Sequence, residues 1–174
     1  ALSTITGRYQ LWTTDATGND VTVLGPDFIQ YGATYGVTSI AGGTNEDGVF
    51  YSNTATVTPD FRTSITKNYD GPTTATVANA DIGVNGANTG ESVVLSAGSA
   101  NFDNKNIGSG KTVSLSNLTI ASASRGAITI HGYGLSTTTA SHANGAINPK
   151  SLTLSGHSAA DKTYDRTTGT TASY

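Results

Sequence analysis

Apolar and polar residues alternate with a period of two along most of this chain. Ala55-Thr56-Val57-Thr58, Ser92-Val93-Val94-Leu95-Ser96, Val113-Ser114-Leu115-Ser116, Leu118-Thr119-Ile120 and Ala127-Ile128-Thr129-Ile130 carry the pattern. Successive side chains of a strand point to opposite faces, so this alternation predicts short, half-buried strands. Apolar residues spaced three and four apart over a long window are missing, and little helix is expected. Toward the start, Ile5 and Arg8-Tyr9-Gln10-Leu11-Trp12 precede a turn-forming cluster at residues 15–20 and then Val21-Thr22-Val23-Leu24, which predicts a hairpin of two strands. Gly25-Pro26-Asp27 breaks the chain. The doubled pairs Tyr31-Gly32 and Tyr35-Gly36 then predict a short strand with glycine at a bulge or a close backbone approach. A polar loop at residues 45–48 leads to Val49-Phe50-Tyr51, Pro59 is expected to end the strand that starts at Ala55, and Ala75-Thr76-Val77-Ala78 is another expected strand. Residues 83–90 and 101–112, rich in Gly, Asn and Asp, are expected as loop and turn. The fold class is all-β, built from short antiparallel strands.

One stretch occurs twice. Lys67-Asn68-Tyr69-Asp70-Gly71-Pro72-Thr73-Thr74 returns as Lys162-Thr163-Tyr164-Asp165-Arg166-Thr167-Thr168, and an X-Pro pair precedes each copy, Thr58-Pro59 and Asn148-Pro149. The tyrosines stand about 95 positions apart, and self-similarity at such a long period marks an array of small domains. The expected organisation is therefore a β unit over residues 1–58, a second over 59–148, and the opening strands of a further unit over 149–174, each a small antiparallel β-sandwich or β-grasp-like repeat. Ser151-Leu152-Thr153-Leu154-Ser155-Gly156 is the expected first strand of that third unit, and the stretch as a whole suggests a piece of a longer tandem protein. Within the motif the ordinary reading puts the rings of Tyr69 and Tyr164 in a small core. Asp70 and Asp165 then accept backbone N–H bonds in the turn that follows.

Composition narrows the function. A net charge of −3 with 12 % charged residues gives no field that would gather nucleic acid or an anionic membrane. Cysteine is absent, so disulfides, thiol nucleophiles and cysteine-based zinc sites are excluded together. No signal peptide, native translation start or membrane span is in view.

At Tyr69-Asp70-Gly71, with Lys67 and Thr73-Thr74-Ala75-Thr76, the chain resembles the YDG-type repeat of very large bacterial filamentous-haemagglutinin-like adhesins. The resemblance continues through Asn104-Lys105-Asn106-Ile107-Gly108-Ser109-Gly110-Lys111-Thr112-Val113 and into Ile147-Asn148-Pro149-Lys150-Ser151-Leu152-Thr153. Tyr31-Gly32-Ala33-Thr34-Tyr35-Gly36 is similar to the YGX-type mostly-β domains that accompany those repeats. The family implies an extracellular stalk or adhesive repeat, on the bacterial surface or secreted, without catalytic residues. The third unit departs from it with Arg166 where glycine would stand, a residue that tolerates positive φ badly.

Candidate chemistry is sparse. Gly108-Ser109-Gly110-Lys111-Thr112 resembles part of a phosphate loop, but Lys105 occupies the position of the first required glycine and no helix is expected to follow. His131, His142 and His157 lack metal-ligand spacing and are expected at the surface. No acid, base and nucleophile converge, so neither enzymatic activity nor a cofactor is expected. Acidic and Asn clusters at residues 15–20, 45–47 and 101–104 offer oxygen ligands for calcium but lack the regular spacing of a calcium loop, and turn formation is favoured. An intramolecular isopeptide would be sought at Lys67 with Asp70 or Lys111 with Glu91. Trp12, Tyr31, Tyr35 and Tyr51 are the aromatics that could stack on sugar rings, against core filling as the ordinary use of Trp12.

The family resemblance implies an adhesive or structural repeat of an extracellular fibrous protein, with a glycan-binding module and a calcium-rigidified stalk as the alternatives. Leu152, Leu154, Tyr164 and Tyr174 need cover that half a hairpin cannot provide. A neighbouring repeat or another copy of the chain, adding a strand at an open edge, is the expected partner.

Overall fold

The structure is a computed structural model. It describes every residue except Ala1, Thr6, Gly7, Thr17, Asn19, Thr44, His157, Ala160, Thr170, Thr171 and Tyr174, with backbone alone at Leu2–Ile5, Ser158–Ala159 and Ala172–Ser173. The expectations for His157 and Tyr174, and for Thr17 and Asn19 in the first turn, lie outside the described residues.

The fold is all-β. Its strands are β1 (Leu2–Ile5), β2 (Arg8–Thr13), β3 (Phe28–Gln30), β4 (Gly48–Tyr51), β5 (Ala55–Phe61), β6 (Thr66–Asn68), β7 (Ile82–Asn85), β8 (Ser92–Ser96), β9 (Ser99–Phe102), β10 (Gly108–Ser116), β11 (Thr119–Arg125), β12 (Ile128–His131), β13 (Tyr133–Leu135), β14 (Ala140–Asn148), β15 (Ser158–Ala159) and β16 (Ala172–Ser173). They form a seven-stranded sheet in the order β1-β2-β4-β3-β12-β11-β8, a four-stranded sheet β6-β14-β10-β9, a three-stranded sheet β13-β5-β7 and the pair β15-β16.

The sheets are mixed, which corrects the expectation of antiparallel strands. β2 with β4, β3 with β4, β3 with β12, β5 with β13 and β6 with β14 all run parallel. Alternation along a strand reports which face is buried and carries no trace of the neighbour's direction. In β3 and β4, at the middle of the large sheet, every residue is buried. Ile29, Val49 and Tyr51 enter the main core while Phe28 and Phe50 enter a second cluster with Ala33, Trp12 and Ile40 on the opposite face. A strand covered on both faces needs apolar residues at every position, as Val49-Phe50-Tyr51 supplies.

The boundary expected at residue 58 falls inside β5, and residues before and after it share one sheet and one core. Val21, Ile29, Tyr31 and Val49 pack in the same cluster as Leu95, Phe102, Val113, Leu115, Leu118 and Ile147. Pro59 does not end β5. It pairs with Val84 of β7, while β13 covers only Ala55 to Val57 on the other side, so at Pro59 the strand is an edge and the missing N–H costs no ladder bond.

Other expected elements shift. Thr22–Leu24 is a 3-10 turn closed by Gly25, not a strand, and the N-terminal hairpin is β1 with β2. Residues 75–78 form no strand; the isolated bridge nearby, Thr74 to Asn101, lies just before them. The glycine-rich stretch from Gly83 contains most of β7, and the presumed turn at 101–112 holds the end of β9 and the start of β10. Residues 151–156 form no strand; Leu152 and Leu154 are 90 % and 82 % exposed, and without a face to bury them their alternation has nothing to stabilise.

Candidate interaction site at the repeated motif

β6 sets the Lys67 ammonium over the turn that follows it. Lys67 Nζ donates to Asp70 Oδ1 at 2.6 Å, to the carbonyl of Pro72 at 2.7 Å and to that of Thr74 at 2.9 Å. All three ammonium protons are thus used, in charge-assisted bonds, and the ring of Phe102 lies 5.8 Å away. The reversal that brings those carbonyls back depends on Gly71, whose φ of 101° lies in the region other residues avoid.

The second copy builds the same clamp. Lys162 Nζ contacts Asp165 Oδ1 at 2.9 Å, the carbonyl of Thr167 at 3.1 Å and that of Gly169 at 2.7 Å, with the Thr167 hydroxyl as a further acceptor. The partners fall three, five and seven residues after the lysine in both copies. Lys162, followed by the N–H and hydroxyl of Thr167, holds the Asp165 carboxyl below its ordinary range. Arg166 takes φ 67°, so the turn keeps its left-handed residue even without glycine.

The two copies differ in their surroundings. β6 pairs in parallel with β14, Thr66 opposite Ala146, Lys67 opposite Ile147 and Asn68 opposite Asn148, and the Tyr69 N–H donates to the Asn148 carbonyl at 2.8 Å. Among the described residues, Lys162, Thr163 and Tyr164 have no such strand beside them. Tyr69 is 36 % exposed and Tyr164 87 %. Neither tyrosine fills a core, which corrects that expectation: Tyr69 is held to β14 through its backbone N–H, and Tyr164 is largely exposed. Of the aspartates, Asp165 receives a backbone N–H as expected, from Thr167 at 2.9 Å, while Asp70 serves the lysine.

Tyr31, expected as a motif residue, belongs to a buried cluster around Glu91 that sequence reasoning did not bring together. Glu91, with its side chain fully buried, accepts Tyr31 Oη at 2.8 Å and Arg125 Nη2 at 3.1 Å on one oxygen, and Tyr133 Oη at 2.5 Å and Asn88 Nδ2 at 3.4 Å on the other. Asn88 also donates through Nδ2 to Tyr31 Oη at 2.8 Å and through its N–H to Tyr133 Oη at 3.1 Å. Burial, and then the bond to Glu91, push the Tyr31 hydroxyl well above its ordinary range and that of Tyr133 up to about 12. Gly132 lets the two tyrosines meet, because a Cβ there would lie 2.3 Å from the Tyr31 carbonyl oxygen. Gly32 takes φ 64° in the turn that carries the chain away from β3. The four residues contributing to Glu91 come from the turn after β3, the loop before β8, β11 and β13, and only their polarity beside apolar strands could have hinted at the cluster.

The remaining candidates separate. Lys111 and Glu91 are not brought together; Lys111 Nζ turns to Asn104, Oδ1 at 2.5 Å and O at 3.4 Å, inside the hairpin that enters β10. Gly108 to Thr112 is strand, without the helix N-terminus a phosphate loop requires. Lys67 and Asp70 do meet, as an ion pair. Tyr31 and Tyr51 are buried and stacked on each other at 5.1 Å, so neither can offer its face to a sugar. Trp12 is half-buried and stacked on Phe50 at 4.1 Å, with only Tyr35, at its edge, presenting an exposed ring. His131 and His142 are half-buried against Phe28 and Phe61 rather than at the surface. In the acidic clusters Asp20 accepts from Thr22, Glu46 from the Gly43 N–H, and Asp47 from the Tyr9 N–H, which are turn and strand contacts. Among the described residues no helix is long and apolar enough to cross a membrane.

No curated protein and no solved structure matches the chain. A family model does: the YDG domain matches residues 52–140, from just before β5 to the first residue of β14. That span takes in the Lys67 clamp, Glu91, Arg125 and Tyr133, and covers just over half of the 174 residues. The chain therefore belongs to the YDG domain family.

Proposed function

We propose that this chain is a structural and adhesive repeat of an extracellular bacterial fibrous adhesin of the filamentous-haemagglutinin-like kind, acting in cell-surface, cell-cell or matrix attachment. The observation that carries the reading is the position of the motif. Lys67 and Tyr69 lie beside the last three residues of β14, where the chain passes through Pro149 toward the next copy of the motif. A motif that recurs and sits at the exit of its unit is placed to set the joint between successive units, the contact on which repeat arrays depend. Adhesion by such a chain needs neither a cofactor nor a catalytic centre.

Two measurements test the proposal together. In small-angle scattering, residues 1–171 followed by one, two and four copies of residues 77–171 should lengthen in proportion to copy number. Beads coated with the chain should be retained on bacterial, host-cell or matrix-coated surfaces. Compact particles that do not lengthen, together with no retention on any surface, would remove it. A glycan-binding module is the competing reading, favoured by the exposed ring of Tyr35 against Trp12. It predicts glycan-array binding that Tyr35→Ala abolishes without unfolding the chain.

A further inference from the structure

We infer that Lys162-Thr163-Tyr164 is the docking edge for a parallel strand of the Ala146-Ile147-Asn148 type, supplied by a following repeat of the same chain. The inference rests on the tandem reading above. Its ground is the comparison of the two motif copies, which share a clamp and differ in one partner. The clamp reaches only seven residues forward, so it forms with or without a sheet, and it does so at both Lys67 and Lys162. What the second copy lacks, among the described residues, is a strand beside it.

The first copy specifies that strand. Ile147, opposite Lys67, is buried in the main core, and Asn148 supplies the carbonyl for the Tyr69 N–H. The partner of Lys162 should accordingly be an extended segment with an apolar residue opposite the lysine and a free carbonyl one residue on. Edges with unpaired backbone groups take such strands readily. Another molecule of this chain is poorly placed to provide one, because its β14 is already paired on both sides, by β6 and β10. Leu152 and Leu154, exposed here, lie between the two motif copies and would be covered by the same repeat.

The test extends the chain. Residues 77–150 are appended after Thr171, so that the second motif is followed by the sequence that follows the first. The Tyr164 amide should then exchange about 100-fold more slowly, approaching the Tyr69 amide, as a ladder bond replaces water. Nitration of the Tyr164 ring should slow to the rate of Tyr69. Replacing the appended isoleucine that corresponds to Ile147 by aspartate should reverse both changes. If the appended unit is protected in its own core while Tyr164 stays as fast as in the 174-residue chain, the inference fails and the tandem reading stands. If the appended unit does not fold and Tyr164 stays fast, the inference fails, while the tandem reading is judged by the scattering series. Protection of Tyr164 in the unextended chain that grows with protein concentration would assign the edge to a second copy and overturn the inference as well.

Discussion

Glu91 and Lys67 each gather polar groups around one charge, and they do so in opposite ways. The Glu91 side chain is fully buried and collects donors from as far as 60 positions away, tying the turn after β3 to β11 and β13. Lys67 draws its acceptors from the seven residues that follow it, and its Asp70 partner is more than half exposed. A long-range buried cluster can exist only when the whole fold does, and a desolvated charge deprived of a partner is costly. A short-range clamp at the surface is screened by water and pays for little ordering, so it persists where no sheet supports it. The difference teaches that Glu91 secures the domain, while Lys67 and Lys162 shape a local feature for use at its edge.

The largest expected effect comes from breaking the buried side. Glu91→Ala leaves the Arg125 guanidinium without its carboxylate and both tyrosine hydroxyls without their acceptor. The expected loss is about 3–5 kcal/mol of stability, read as a fall in the denaturant midpoint. Because Tyr31 lies before the matched family span and Tyr133 within it, one transition should shift as a unit. A cost no larger than that of removing Lys67 would dissolve the contrast.

The same cluster should respond to alkali. Tyr133 in the folded chain is pushed up to about 12 and Tyr31 is raised further, mainly by burial and by their bonds to Glu91. A tyrosine of the unfolded chain titrates near 10. The native state therefore holds these protons more tightly, and their contribution is complete below about pH 10 and is lost as the pH climbs toward about 12. Melting temperature should fall across that window, and Tyr133→Phe, which cannot ionise, should flatten the fall.

On the exposed side, Lys67→Met removes three donated bonds but keeps the aliphatic stem. About 1–2 kcal/mol is the expected cost, since the freed carbonyls and Asp70 can turn to water. Exchange at residues 70–76 should quicken while β8 and β11 stay protected. If the whole sheet loosened equally, Lys67 would belong with Glu91 and not with Lys162.

The contrast also explains what could be read from the residues. The clamp was partly legible, because lysine, aspartate and a turn lie within a few positions and occur twice. The place of the tyrosine was not, since its backbone is held by Asn148 of β14, nearly 80 positions later. Strands such as β8 and β10 show in the alternation of Val93, Leu95, Val113 and Leu115. The run Val21-Thr22-Val23-Leu24 was too short to separate strand from 3-10 turn, with Asp20 and Gly25 closing it at either end. The Glu91 cluster left no signal because its donors are far apart in sequence: Tyr31 stood out only for its Tyr-Gly pair, and nothing in the residues joined it to Glu91, Arg125 or Tyr133. The parallel pairings were invisible for a similar reason: direction belongs to the pair, and no single strand records it.

The smallest expected effect tests whether the second clamp is held against strain. Arg166 adopts φ 67° at the position where Gly71 adopts 101° in the first copy. A Cβ built on Gly71 meets nothing within 4 Å, so a side chain in this turn is opposed by the backbone alone. That opposition is about 1 kcal/mol for a residue in the left-handed region. Arg166→Gly removes it and should stabilise the closed loop by that amount, slowing exchange of the Thr167 amide, which is bonded to Asp165, by about fivefold. Gly71→Arg should do the reverse at the first copy, quickening exchange within residues 70–76 by a similar factor. The denaturant midpoint should rise little in the first variant, because the Lys162 loop is not tied into the main core. An unchanged Thr167 amide in Arg166→Gly would mean that the clamp, not the turn residue, decides how often the loop opens, and Lys162→Met would then have to carry the whole effect.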